Sequence, residues 1–106
     1  MGLFDLLFGK KKRQVLEALE NGARIIDVRS PEEFKYGNVD GSLNFPVDRL
    51  NGSAIKKLQK LNTPLVVCCA SGMRSASARG ILMQNGIAEV HNAGGWHKLN
   101  RWIITS

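Results

Sequence analysis

The chain has 106 residues, 43% hydrophobic and 23% charged, with a net charge of +6. This is enough for one domain with a single modest core, and the ordinary globular balance excludes disorder over most of the chain. No apolar run approaches the ~20 residues of a membrane span, and a secretory signal fits poorly because the basic run Lys10 to Arg13 follows the apolar residues 1–9 instead of preceding them.

A cytoplasmic, reducing compartment is therefore expected, with any membrane contact peripheral. The two cysteines, Cys68 and Cys69, are adjacent. They cannot build a disulfide framework, and their spacing is neither C-x-x-C nor a zinc pattern. Much of the charge excess lies in residues 10–13. Without a stacking-aromatic motif or a helix-turn-helix signature, nucleic acid is not an expected partner. The basic surface attracts small anions or keeps the chain soluble.

Two segments precede the first strand. Leu3, Phe4, Leu6, Leu7 and Phe8, backed by Lys10 to Arg13, fit either a weak interfacial membrane contact through residues 2–13 or a helical turn folded onto the domain. Leu6 stands where N-myristoylation wants Ser or Thr. The reading separates residues 1–13 from a domain over 14–106. Residues 11–20 predict a helix with Val15, Leu16 and Leu19 on one side and Gly22 as its stop.

The rest of the chain alternates strands with helices. Arg24 to Val28 predicts a short buried strand. Ser30, Pro31 and Glu33 form a helix start, with cap, first position and capping box in turn, and Gly37 ends that helix. Ser42 to Phe45 predicts a strand closed by Pro46. Residues 52–61 predict a helix with Ile55, Leu58 and Leu61 inward. Leu65 to Cys69 is a strand, Ser75 to Asn85 a helix, and Ala88 to His91 a strand. Gly94 and Gly95 open a last turn or helix with Trp96, Leu99 and Trp102. The alternation implies an α/β domain with a mostly parallel sheet. Ligands of such sheets bind at the carboxyl ends of the strands, where Cys69 lies.

Residues 65–79 hold the chemistry. An apolar strand runs into a cysteine, then a small-residue loop with one glycine, then Arg74 and a helix. Loop N–H groups, the positive end of a helix and a guanidinium can converge on one sulfur and make it a reactive thiolate. An unperturbed thiol with a pKa near ~8.5 is only about 3% ionised at neutral pH, and lowering it by roughly two units takes about 2.7 kcal/mol. Ala70, Ser71, Gly72 and Met73 can present successive N–H groups as an anion nest. Gly72 supplies the positive φ such a ring needs. Ser75 is placed to cap the following helix, and Arg74 to hold oxygens of an incoming substrate.

Three blocks of the sequence align with one family. Ile26 to Phe34 with Gly37 to Pro46, then Cys69 to Ser75, then Val90 to Trp96, together resemble the signatures of rhodanese-like domains over roughly residues 14–102. The resemblance implies a rhodanese-like fold, a five-stranded and mainly parallel sheet with helices on both faces. It also implies a single-domain sulfurtransferase with a cysteine persulfide intermediate, small-molecule or protein sulfur donors and acceptors, and no metal or organic cofactor. A monomer is expected.

Counting from Cys69, glycine comes three residues on and arginine five, as in the six-residue rhodanese loop. Counting from Cys68, Arg74 is six on, as in cysteine phosphatases, but Ser71 stands where they want glycine and Val67 where they often have His. The assigned nucleophile is Cys69. A phosphatase-like enzyme on the same fold and a non-enzymatic persulfide carrier are the alternatives. Asn38 stands where the family commonly has His. Ala70 stands where thiosulfate-using members often carry a cation, so the loop offers a dianion less positive charge.

The remaining polar residues have plainer readings. Asp27 and Arg29 are expected to fix the turn after the first strand, as support for the site. Cys68 reads as a small buried apolar residue and Arg79 as a solvated charge that can rim a pocket. His91 and His97 lack metal-ligand spacing. Trp96 and Trp102 read as packing.

Overall fold

Leu65–Cys69 is buried at all five positions because both faces of the strand are covered. The computed structural model describes residues 3–106, with side chains from residue 9 onward. The apolar side chains on which the membrane-contact expectation rests, Leu3 to Phe8, lie outside the described residues. In chain order the elements are α1 (Leu3–Glu20), β1 (Arg24–Asp27), α2 (Pro31–Tyr36), β2 (Leu43–Asn44), a 3-10 turn (Val47–Arg49), α3 (Gly52–Leu61), β3 (Leu65–Cys69), α4 (Met73–Gln84), β4 (Val90–Gly95) and α5 (Trp96–Thr105).

The strands form one parallel sheet in the order β2-β1-β3-β4. Side chains alternate across it. Ile26, Leu65, Val67 and Cys69 join Leu58 of α3 and Ala78 and Leu82 of α4 on one face. Ile25, Val66 and Cys68 join Val15 and Ala18 of α1 and Leu99 of α5 on the other. Each fully buried Leu or Ile contributes about 1.5–3 kcal/mol by leaving water.

Four expectations are corrected. The sheet has four strands among the described residues, not five. The four match the segments read from sequence, whereas the fifth rested on the resemblance alone. The residues ahead of β1 that could have supplied it are helical from Leu3. That helix also starts well before residue 11. The last strand extends through the glycine pair, because parallel pairing carries β4 along β3 as far as Cys69 opposite Gly95, with an irregularity at Val67/Cys68. Finally, α4 begins at Met73, so Gly72 and not Ser75 is the cap position.

The start of α2 follows the local code. Ser30 Oγ accepts from Glu33 N, and the Glu33 carboxylate accepts from Ser30 N, completing the capping box. Among the described residues no helix is long and apolar enough to cross a membrane.

Candidate active site

The carboxyl ends of β1, β3 and β4 lie side by side, with Asp27 paired to Cys68 and Cys69 to Gly95. The chain turns from β3 into α4 over Ala70, Ser71 and Gly72. Gly72 takes φ +105°, a left-handed conformation that side chains resist. The loop lies directly on β4: a Cβ on Gly95 would sit 2.9 Å from the Ala70 carbonyl oxygen. Gly95 therefore lets the loop close over the strand end.

The Cys69 sulfur is the centre of this loop. Its Sγ accepts from Gly72 N at 2.9 Å and from Ser75 N at 3.4 Å, and Ser75 Oγ lies 3.3 Å away. Ser75 is in the first turn of α4, where backbone N–H groups have no partner within the helix. Burial pushes the thiol pKa up. The Ser75 hydroxyl and the N–H groups of Ser75, Gly72 and Ser71 outweigh that burial, so Cys69 ionises below the ordinary thiol value. By linkage, the unfolded chain holds this proton more tightly. Cys69 therefore adds stability as pH rises through its folded value.

Cys68 is equally buried but, among the described residues, has no such donors around it. It points to the opposite face among Val15, Val66 and Leu99. Burial first, then the charge of Asp27, pushes its pKa up to about 12. Iodoacetamide is expected to label Cys69 and spare Cys68 in the folded protein, with a rate that rises with pH and levels off before the ordinary thiol range. Fragment-ion sequencing of the peptide containing both cysteines checks this, and equal labelling of the two would refute it.

The other expected residues of the loop fall into three groups. Ser75 and Gly72 meet the sulfur directly, and Ser71 contributes its N–H. Ala70 and Met73 are exposed, and among the described residues neither donates an N–H to the sulfur; Met73, 82% exposed, starts the helix at the loop's rim. Arg74 does not hang free over the sulfur. Both of its Nη groups clasp the Glu33 carboxylate, at 2.6 and 2.9 Å. This bidentate bond, more than the Ser30 hydrogen bonds, holds the Glu33 carboxyl down to about 2.

Asp27 and Arg29 form a buried scaffold, 0% and 4% exposed. Arg29 donates Nε, Nη2 and its backbone N–H to the Asp27 carboxylate. Nη2 also reaches Gly37 O at 2.7 Å, and the guanidinium lies 4.7 Å from the Trp96 ring centroid. One ion pair thus ties β1, α2 and α5 together beside the loop.

The sequence reading missed two residues. The sequence marks Glu33 only as a helix cap. Asn92 was not singled out, yet its Oδ1 accepts from Ser75 Oγ at 2.7 Å and from Gly94 N at 2.9 Å, and its Nδ2 reaches Gly72 O at 3.4 Å. The available signal was an asparagine within the last strand, which needs partners when half-buried. His91 bonds Glu89 at 2.8 Å, and His97 packs on Trp96 with ring centroids 3.8 Å apart.

Comparison with known proteins gives the same picture. The sequence pattern of the rhodanese-like domain matches residues 11–101. Thiosulfate sulfurtransferase GlpE of Pseudomonas aeruginosa is 34% identical over 90 residues, covering 85% of this chain and 80% of that protein. A rhodanese from E. coli, solved with anions, superposes with a TM-score of 0.65 at 31% identity, covering 73% of this chain and 91% of that one. The human single-domain sulfurtransferase TSTD1 does so with a TM-score of 0.63 at 28% identity, covering 89% and 93%. With its parallel sheet, its cysteine loop and a match spanning nearly the whole length, the chain belongs to the rhodanese-like domain family.

Proposed function

We propose that the protein is a sulfurtransferase that carries a sulfane sulfur as a persulfide on Cys69. The observation that carries this reading is the ring of donors from Gly72 and Ser75 around a sulfur whose pKa they lower. The names of the relatives support the same class of reaction.

The cycle has two displacements. In the first, a lone pair of the Cys69 thiolate attacks the outer sulfur of the donor. A new S–S bond forms, the donor's own S–S bond breaks, and the departing sulfite or thiolate takes that electron pair. In the second, an acceptor such as a thiolate, sulfide or cyanide attacks the outer sulfur of the persulfide. The Cys69–sulfur bond breaks and returns its electron pair to Cys69. The Gly72 and Ser75 N–H groups keep Cys69 ionised and ready for the first step, and in the second they stabilise the thiolate as it leaves, which lowers that barrier.

The donor follows from charge. Ala70 adds no cation, and the Arg74 charge is offset by Glu33. A singly charged persulfide or polysulfide suits this loop better than dianionic thiosulfate. Mass spectrometry after incubation with a persulfide donor is expected to show one added sulfur on Cys69. Hydrolysis of an aryl phosphate without sulfur uptake would replace this reading with the phosphatase one.

Glu33→Gln tests the charge argument. Glutamine preserves the capping box but frees the Arg74 charge. The pair is half exposed, so its worth is about 0.5–1 kcal/mol, and kcat/KM for thiosulfate is expected to rise roughly two- to fivefold. The value for a persulfide donor should change less. An unchanged or lower thiosulfate rate would show that Glu33 positions Arg74 rather than restraining it.

A further inference from the structure

β4 is the last strand of the sheet. Beyond its outer edge, α1 and α4 flank an open cavity of about 470 Å³ whose lining includes Lys10, Lys11, Gln14, Arg79, His91 and Asn92. This volume is in the range of small-molecule sites. Glu33, Arg74 and Cys69 do not line it, and Asn92, which bonds Ser75, stands between it and the cysteine loop.

The chemistry of the lining has one sign. Lys10 and Gln14 are four residues apart on α1 and Lys11 and Gln14 three apart, so all three share a face. Arg79 comes from α4 on the opposite wall. Its Nε donates to Val90 O at 2.7 Å, which fixes the guanidinium against the edge of the strand. Among the described residues no other hydrogen bond or ion pair occupies its Nη groups. Lys11 is half-buried, and its pKa is lowered first by burial and then by the charges of Lys98 and Arg79. No carboxylate lines the cavity among the described residues. Glu17 and Glu89 line the adjoining hollow, and Glu89 is engaged by His91. Like charges gathered on fixed supports raise the energy of the empty site, and a multivalent anion offsets that cost.

We propose that this cavity is a binding site for a phosphate-type multivalent oxyanion, held by the Arg79 fork on one wall and by Lys10, Lys11 and the Gln14 amide on the other. The planar guanidinium suits two oxygens of one phosphate group, and the lysines supply point charges for a second. The ligand is either a free phosphate compound or the headgroup of an acidic phospholipid. The site does not depend on the sulfur chemistry and stands or falls separately from it.

The test uses the full chain and two probes, inorganic pyrophosphate and phosphatidylcholine vesicles with or without phosphatidic acid. In an NMR titration, pyrophosphate is expected to give saturable shifts at Lys11, Gln14, Arg79 and His91. Lys11→Gln and Arg79→Gln should each weaken binding about tenfold, as expected for loss of a charge-assisted bond. Lys57→Gln, an exposed change on α3, should leave binding unchanged. Co-sedimentation only with phosphatidic acid vesicles, weakened by the same two variants, assigns the headgroup. Pyrophosphate binding without co-sedimentation assigns a free phosphate compound. Absence of saturable response to both probes overturns the proposal. So do equal losses in Lys57→Gln, or shifts confined to residues 70–75, which would place the anion in the cysteine loop.

Discussion

Cys69→Ser is expected to abolish sulfur transfer while leaving the fold intact. The substitution is nearly isosteric, so Gly72 N, Ser75 N and Ser75 Oγ retain an acceptor in place. What disappears is the nucleophile. A serine hydroxyl is not ionised by hydrogen bonds of this kind, and oxygen does not store a sulfane sulfur. Loss of a covalent nucleophile costs several orders of magnitude, and a fall of at least ~1,000-fold in kcat is expected. Cys68→Ser gives the contrasting result. A hydroxyl placed among Val15, Val66 and Leu99 is left without a partner and costs about 1–3 kcal/mol of stability, while the folded fraction keeps its activity. Steady-state transfer assays and urea unfolding on both variants separate the two roles. Sulfur uptake by the Cys69→Ser protein, seen by mass spectrometry, would remove the proposed mechanism.

The largest effect on stability is expected at Asp27. Its carboxylate is fully buried and is the charge that balances the equally buried Arg29. Asp27→Ala leaves the guanidinium with the Gly37 carbonyl, a long contact to Glu33 O and the face of Trp96. Breaking a buried pair from one side costs about 3–5 kcal/mol. That is a large share of the ~5–15 kcal/mol that holds a small domain together. It corresponds to a fall of more than ~10 °C in Tm. Asp27→Ala combined with Arg29→Met should recover part of this loss, because it removes the uncompensated charge as well as the bond. Urea unfolding of the two single variants and the double variant gives the coupling directly. A cost below about 1 kcal/mol for Asp27→Ala, or strict additivity in the double variant, would show that the pair is not the scaffold of this end of the sheet.

Both residues were marked in the sequence, but with unequal resolution. Cys69 is legible because its chemistry is local. The strand, the sulfur, the positive-φ glycine, the arginine and the helix start all lie within a few residues of one another, and their spacing restricts the geometry. The Ser30 to Glu33 capping box is legible for the same reason. Asp27 and Arg29 were placed at the correct turn, yet their weight was not readable. Whether an ion pair is worth nothing or several kcal/mol depends on burial, and burial here comes from Trp96 and Gly37, which approach from elsewhere in the chain.

Sequence alone determined the alternation of strands and helices, the cysteine loop and the identity of the sulfur that loop addresses, since each is written in periodicity, capping or short spacing. Tertiary structure decided the rest. It paired Arg74 with Glu33 across 41 residues and set Asn92 against Ser75. It drew β4 out through Gly95 and gathered Lys10, Lys11 and Arg79 around one cavity. These contacts depend on sheet register and on how α1 and α4 pack beside β4. Both are properties of the assembled core, and no local window of sequence contains them.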